Sequence, residues 1–267
     1  MTDSSTSTPN NTAPWCTPSD GAFEHRFSGY SVWLEPAPPR PLQTTMEFLS
    51  NQCGGPQCGL HPFAPHLTLL YNIQLGDRVF DGNGDAGIVN GENDDVCDAT
   101  VSRAKDLLRK CLMEYRRINS ATSANDTDTA KETINMNATS YYYFPYPKSA
   151  DDGRGFGCVI SMLLIEKSRQ LEALHDAVTS TFPPDERHGE AGGTFQPHMA
   201  LVYAPEHCGP SLEEWTNARE AYEQKAQSLE DCLLGEMPAK SISLWKTEGT
   251  IDKWKRISSL DLDDFLS

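Results

Sequence analysis

The sequence predicts a mixed α+β protein built around an antiparallel sheet. Short runs of β-forming residues that end at turn signals alternate with longer segments whose apolar residues recur at helical spacing. Most neighbouring β-rich runs are close enough in the chain to be joined as hairpins, which favours antiparallel pairing. The chain of 267 residues is long enough for one large domain or two modest lobes, and we expect a single domain over residues 26–265.

The first half of the chain predicts two strands and two helices. Residues 1–25 are dominated by Ser, Thr, Pro and Asn and predict a disordered tail. Strands are predicted at residues 30–34, which end at a proline cluster, and at residues 66–73. A short helix is predicted over residues 42–51, which precede a Gly-Gly-Pro stop, and an amphipathic helix is predicted over residues 100–117.

The second half predicts a similar mixture. Residues 141–146 and 158–166 are strand-like runs on either side of an Asp-Asp-Gly turn signal. Ser168 has the chemistry of a helix N-cap, and the apolar spacing after it predicts a helix to about Thr181. Residues 198–204 predict a further strand. The last predicted elements are a helix that starts at a capping box at 211–214 and ends near 235, and a hairpin of strands at 241–246 and 253–262.

Charge and composition limit the partners of the protein. Lys and Arg total 22 against 38 Asp and Glu, which gives a formal net charge of −16 at pH 7. Because binding to a nucleic-acid polymer depends on many contacts between cationic side chains and phosphates, we expect no such partner. The chain has no run of eighteen apolar residues and no signal-peptide pattern, so we expect no membrane partner and a cytoplasmic location, with the eight cysteines reduced. Two polar stretches, at about residues 81–98 and 119–139, are predicted to be insertions without regular structure.

Two nine-residue segments repeat each other across half the chain. The segment 63–71 is Phe-Ala-Pro-His-Leu-Thr-Leu-Leu-Tyr, and the segment 195–203 is Phe-Gln-Pro-His-Met-Ala-Leu-Val-Tyr. An internal repeat of this kind predicts two similar lobes that each contribute one such strand.

Strand geometry indicates what the repeated segments can do. Side chains alternate between faces, so His66 and Thr68 share one face, as do His198 and Ala200. If the two strands face each other across a cleft, their imidazoles approach a common point from opposite sides. Two histidines beside one small ligand can act as an acid–base pair, provided that their environments keep one neutral and the other charged.

The paired His-x-Thr and His-x-Ala strands resemble the His-x-[Thr/Ser] signatures of the two-histidine (2H) phosphoesterase superfamily. The segments 30–36, 197–203 and 243–250 are similar to the cyclic phosphodiesterases of plants and yeast. This resemblance implies a bilobal fold in which two antiparallel sheets are related by a pseudo-twofold axis, with helices on the outside and the active cleft between the sheets. It covers residues 28–80 and 140–265, and it leaves the tail and both polar insertions aside.

The resemblance also implies an activity, which is the metal-independent, cofactor-free hydrolysis of a small cyclic-phosphate nucleotide. The implied substrates are a nucleoside 2′,3′-cyclic phosphate, opened to the 2′-phosphate, and ADP-ribose 1″,2″-cyclic phosphate, opened to the 1″-phosphate. The implied setting is the removal of cyclic phosphates that transfer-RNA splicing generates. By matching position, His66 and His198 are the catalytic pair, Thr68 is a phosphate ligand and Tyr203 contacts the substrate. We expect the enzyme to be a monomer.

One position departs from the family pattern and keeps alternatives open. Ala200 stands where the family has Ser or Thr, so one hydroxyl group is missing. A water molecule, a backbone N–H or the Thr194 hydroxyl are candidate replacements. One alternative function is hydrolysis of RNA 2′,3′-cyclic ends, which the acidic charge disfavours. The other is a nucleotide-binding module that has lost catalysis.

Several further patterns have simpler interpretations. Tyr71 occupies the place equivalent to Tyr203, where we expect it to serve packing, and we expect Trp33 and Trp245 in the core or stacked on a base. Cys53, Cys58, His61 and His66 have a loose zinc-like spacing, and residues 81–92 imitate an EF-hand loop whose turn glycine is replaced by Ala86. We expect no metal at either place.

Overall fold

The computed structural model describes residues 29–37, 42–47, 63–75, 98–122, 133–143, 158–182, 195–204, 224, 234–248 and 251–266. In chain order, the elements are β1 (Tyr30–Pro36), α1 (residues 42–47), β2 (Leu67–Ile73), α2 (Asp98–Thr122), β3 (Asn135–Tyr143), β4 (Cys158–Ile165), α3 (Arg169–Thr181), β5 (His198–Ala204), β6 (Gly235–Lys246), a short 3-10 helix (Ile251–Lys253), β7 (Lys255–Asp261) and α4 (Leu262–Leu266).

The described strands form a seven-stranded sheet in which every pairing is antiparallel. The strand order is β2-β1-β6-β3-β4-β5, and β7 pairs with β6. The long strand β6 joins the two parts of the sheet, because its start at Gly235–Pro238 pairs with β3 and the rest pairs with β1. The predicted α+β class and the antiparallel sheet are therefore confirmed.

The two repeated segments occupy equivalent places in this sheet. Strands β2 and β5 lie at the two ends of the strand order, and each pairs with one neighbour. Thr68 lies opposite Trp33 of β1, and Ala200 lies opposite Met162 of β4. The two end strands also contact each other, so the sheet curls until its ends meet.

Helices α2 and α3 pack against each other and cover part of the sheet. Strand β7 contacts α2 and strand β2 contacts α3. The predicted N-cap is confirmed, since the Ser168 hydroxyl accepts a hydrogen bond from the Leu171 N–H at 3.2 Å. The predicted inward side chains of this helix, Leu171, Leu174 and Val178, are fully buried.

Three of the predicted boundaries are wrong because polar composition hides regular structure. Helix α2 continues to Thr122 and β3 already begins at Asn135, so both ends of the stretch 119–139 are ordered elements. In β3 the buried Met136 and Ala138 alternate with polar residues, which is the period of a strand with one face in the core. The strand predicted over 241–246 also begins earlier, at Gly235, as part of β6.

Other predictions concern residues outside the described part of the chain. These are the tail at 1–25, the insertion at 81–97, the end of the short helix at 48–51, and the helix at 211–235 apart from residue 224 and its last two residues. Within the described part, no helix has both the length and the apolar character needed to cross a lipid bilayer.

Candidate active site

His66 sits in an aromatic enclosure immediately before β2. Its ring lies flat on the Trp33 indole, with centroids 3.5 Å apart and planes at 7°, and the Phe63 ring meets its edge at 5.7 Å. The residue is only 3% exposed. Nδ1 lies 2.6 Å from the Ala64 carbonyl oxygen. Because a carbonyl only accepts, Nδ1 carries the proton of the neutral ring and Nε2 is left as the nitrogen able to accept one.

Burial fixes the charge state of this histidine. It lowers the pKa of His66 to about 3, since the charged imidazolium would lose its hydration. The hydrogen bond to Ala64 opposes this change, and the charge of nearby His198 lowers the pKa further. His66 is therefore neutral near pH 7, and the two imidazoles are close enough for their charges to interact.

His198 repeats the backbone arrangement of His66 in the other end strand. It is the first residue of β5, and its Nδ1 lies 2.8 Å from the Gln196 carbonyl oxygen, again two residues earlier in the chain. Each histidine follows a proline, Pro197 or Pro65, whose ring fixes the backbone φ angle between this carbonyl and the histidine. Both imidazoles thus have Nδ1 held by the backbone and Nε2 left for chemistry.

The surroundings of the two imidazoles differ. In the β4–β5 pair, the position equivalent to Trp33 of the β1–β2 pair is occupied by Met162. The second repeat therefore has a flexible, non-aromatic side chain where the first has an indole. His198 is half-buried, whereas His66 is almost completely buried. Such an asymmetry is what an acid–base pair needs, because identical environments would give both groups the same protonation state.

A small open cavity lies beside His66. Hydroxyl groups from β1, from β2 and from the residue just beyond β6 line it, together with two indoles and the imidazole. The lining residues are Ser31, Thr68, Tyr71, Thr247, Trp33, Trp254 and His66. Hydroxyl groups donate hydrogen bonds readily to phosphate oxygens and carry no charge of their own. The cavity can therefore hold an oxygen-rich group next to a neutral imidazole.

The Trp33 indole is held in place from its other side. Trp245 stacks on it with centroids 4.3 Å apart, and Trp254 meets its edge at 5.8 Å. The Trp245 Nε1–H donates to Glu35 Oε1 at 3.0 Å, and Ser243 donates to the same oxygen at 2.5 Å. Arg256 lies 3.3 Å from the other oxygen of Glu35. A compensated carboxylate thus anchors the stack that ends at His66.

The structure brings some of the predicted site residues together. His66 and Thr68 line one cavity, and His198 acts on His66 through its charge without being part of the cavity lining. Ala200 is buried in β5. The backbone of Tyr203 pairs with Val159, but the side chain of Tyr203 lies outside the described part, as does Thr194.

Sequence reasoning missed several lining residues. Tyr71, interpreted as a packing residue, lines the cavity, and Ser31, Thr247 and Trp254 were not singled out. Ser31 shares the strand face of Trp33, so alternation in β1 could have indicated it. No local pattern points to Thr247, because it reaches the cavity through the pairing of β6 with β1.

The metal alternatives gain no support from the described residues. Within the described ranges, no group of three or more His, Cys, Asp or Glu side chains could hold a metal ion. Nδ1 of His66 is engaged by a backbone carbonyl. Cys53, Cys58, His61 and the EF-hand-like segment 81–92 lie outside the described part of the chain.

Comparison of the chain with models of protein families finds no match, and comparison with curated proteins finds none either. What supports a function is the geometry of the two imidazoles and of the hydroxyl groups beside His66.

Proposed function

We propose that the protein hydrolyses small cyclic phosphodiesters with a pair of histidines. The observation that carries this proposal is the repeated imidazole geometry. His66 and His198 each bind the carbonyl two residues earlier through Nδ1, and they lie at the starts of two end strands that contact each other. The proposed substrates are nucleoside 2′,3′-cyclic phosphates and ADP-ribose 1″,2″-cyclic phosphate.

The neutral state of His66 suggests a role for each histidine. Neutral His66 takes a proton from water at Nε2, and the oxygen of that water attacks phosphorus. The bond between phosphorus and one ribose oxygen breaks, and protonated His198 gives its proton to the departing oxygen. The product is a phosphate monoester beside a free hydroxyl group. A bound phosphate anion raises the pKa of His66, because an opposite charge favours the imidazolium, so the proton transfer becomes favourable when substrate is present.

Thr68 serves as a hydrogen-bond donor in this proposal. Its side chain lines the cavity beside His66, on the same strand face. Negative charge develops on the non-bridging oxygens during attack, and a donor already in place stabilises it without reorganisation. Tyr203 remains a proposed substrate contact on the basis of the family resemblance.

We also propose that the chain has the bilobal 2H-phosphoesterase fold. Support comes from the equal register of the two halves, in which the third residue of each His-x-Thr or His-x-Ala motif lies opposite Trp33 or Met162. A monomeric, cofactor-free, cytoplasmic enzyme that removes cyclic phosphates left by transfer-RNA splicing follows from the resemblance alone.

A second candidate is a nucleotide-binding module without catalysis, which the missing hydroxyl at Ala200 favours. The two candidates are separated by giving the purified protein 2′,3′-cyclic AMP or ADP-ribose 1″,2″-cyclic phosphate in the presence of EDTA. Phosphorus NMR identifies any monoester that forms. Turnover supports the enzyme, whereas binding of 2′-AMP without turnover of either compound supports the binding module.

Matched histidine variants test the assignment. His66→Gln and His198→Gln should each abolish turnover while circular dichroism stays that of the wild type. His175→Phe is the control, because this imidazole of α3 stacks on Phe195 and a phenyl ring preserves that contact. Retained turnover in either Gln variant would contradict the two-histidine mechanism.

A further inference from the structure

Two hydroxyl groups from distant parts of the chain meet at the wall of the cavity beside His66. Ser31 of β1 and Thr247, just beyond β6, have their side-chain oxygens 2.8 Å apart. Their backbones are fixed by the sheet, since Ser31 pairs with Trp245 and the Thr247 N–H donates to the Gly29 carbonyl at 2.9 Å. Both residues line the cavity, yet they are only 2% and 1% exposed.

The two hydroxyl groups of this pair have two hydrogens, and only one of them is used in the bond between them. Each hydroxyl group has a single hydrogen, and the bond between the two oxygens uses one of them. The second hydrogen has no acceptor among the described residues, whichever group donates in the pair. A buried hydroxyl group without an acceptor is unfavourable, and the open side of this pair is the cavity. The arrangement is therefore suited to an oxygen atom that enters the cavity.

The ligand that fits is a non-bridging oxygen of a phosphate. The same cavity holds His66 and Thr68, which the proposed function places at the phosphate. A neutral donor suits the single negative charge of a phosphodiester. The second repeat lacks a hydroxyl group at Ala200, so one donor expected at the phosphate is absent there.

We propose that the Ser31–Thr247 hydroxyl pair is a second phosphate-oxygen donor, which supplies the hydrogen bond that Ala200 cannot make. This inference deepens the proposed function and rests on it. The pair acts as one unit: either hydroxyl group can be the one that faces the ligand, while the other orients it.

This arrangement predicts a specific non-additive pattern. Ser31→Ala leaves the Thr247 hydroxyl with its hydrogen free for the ligand, and Thr247→Val leaves that of Ser31. Each single substitution should weaken binding by no more than about 3-fold, because one donor remains. The double cavity variant, Ser31→Ala with Thr247→Val, has no hydroxyl group at either position. It should bind the ligand about 10- to 100-fold more weakly, the range expected for loss of a hydrogen bond to a charged group.

The test measures binding of inorganic phosphate and of 2′-AMP by NMR titration, in parallel with turnover of 2′,3′-cyclic AMP. The control is the double variant Thr45→Val with Ser258→Ala, which removes two buried hydroxyl groups outside the cavity lining. It should bind both probes like the wild type. If the double cavity variant does not fold, Ser31→Cys with Thr247→Val replaces it, since a thiol keeps the volume and donates weakly.

The outcomes separate this inference from the proposed function. If the wild type turns over substrate and the double cavity variant binds the probes as tightly as the wild type, the proposed donor role of the hydroxyl pair is wrong. The proposed hydrolase activity is then still supported. Binding without turnover, lost in the double variant, would support the pair and contradict the hydrolase. If the wild type binds neither probe and shows no turnover, both are overturned. Equal and additive losses in the two single variants would also overturn the pair.

Discussion

The imidazole of His66 lies face to face with the indole of Trp33, at a centroid distance of 3.5 Å. This contact excludes water from one whole face of the imidazole, and Phe63 covers an edge. The enclosure, together with the remaining burial, is the main reason why the pKa of His66 falls to about 3. The electron-rich face of an indole attracts a cation, so the same neighbour that keeps water away also stabilises the imidazolium once an anion binds.

Replacing Trp33 by Leu should therefore change the titration of His66. A smaller side chain admits water to the exposed face, so the pKa of His66 should rise from about 3 toward its usual value, by roughly one unit or more. The change is followed by the pH dependence of the His66 ring proton signals in NMR spectra. Trp33→Phe, which keeps an aromatic face, is the control and should shift the pKa less. An unchanged titration in Trp33→Leu would show that this indole does not set the pKa.

The low pKa of His66 also predicts how stability depends on pH. The unfolded chain protonates His66 near its ordinary pKa of 6.5, whereas the folded protein does so only near 3. Between these values the unfolded state binds the extra proton, so this contribution to stability is complete above pH 6.5 and is lost as the pH falls. The largest slope is about 1.4 kcal/mol per pH unit.

Denaturant unfolding of the wild type and of His66→Gln at several pH values between 4 and 7 measures this slope, because the other titrating groups are common to both proteins. The wild type should lose more stability than the variant on acidification. Parallel curves would contradict the depressed pKa.

Thr68→Val tests the donor beside His66. The substitution keeps the β-branched shape and removes the hydroxyl group, so the protein should fold normally. Loss of one donor to the developing charge should reduce kcat about 10²- to 10³-fold. Thr139→Val is the matched control, since Thr139 lies in β3 and its hydroxyl group donates to the Leu164 carbonyl at 3.2 Å. Equal rates for the two variants would remove Thr68 from the site.

Glu35→Gln tests the anchor of the aromatic stack. The carboxylate accepts hydrogen bonds from Trp245 and Ser243 and lies beside Arg256. In the Gln variant, the amide N–H₂ group faces side chains that also donate hydrogen bonds, so at least one of these bonds is lost. The free energy of unfolding should fall by about 1–3 kcal/mol. Denaturant unfolding measures the loss, and Glu236→Gln, at an exposed position of β6, is the control. Equal stabilities of the two variants would mean that the carboxylate does not anchor the stack.

The sequence was most informative about the candidate site where a local pattern repeats. His66, Thr68 and His198 follow from one repeated segment, because strand alternation fixes which side chains share a face. The same alternation, with buried Met136 and Ala138, defines the start of β3, but the polar residues between them obscured it.

The other side of the cavity could not be predicted in this way. Ser31 and Thr247 are 216 residues apart and meet only because β6 pairs with β1. Register irregularities within the β1–β2 pairing also change which side chains meet, and single-sequence patterns do not contain them. Trp33 was expected either in the core or at the cleft, and it is both buried and part of the cavity wall.

Restoring the hydroxyl group in the second repeat provides a last prediction. Ala200→Ser reintroduces the residue type that the family resemblance implies. If the Ser31–Thr247 pair already supplies this donor, kcat should change by less than about 3-fold in the wild-type background. In the double cavity variant, the same substitution should recover most of the lost turnover, because one donor is then present again. Steady-state kinetics of the four proteins measures the coupling. A tenfold or larger gain in the wild-type background would show instead that the missing hydroxyl group limits the rate and that the pair does not replace it.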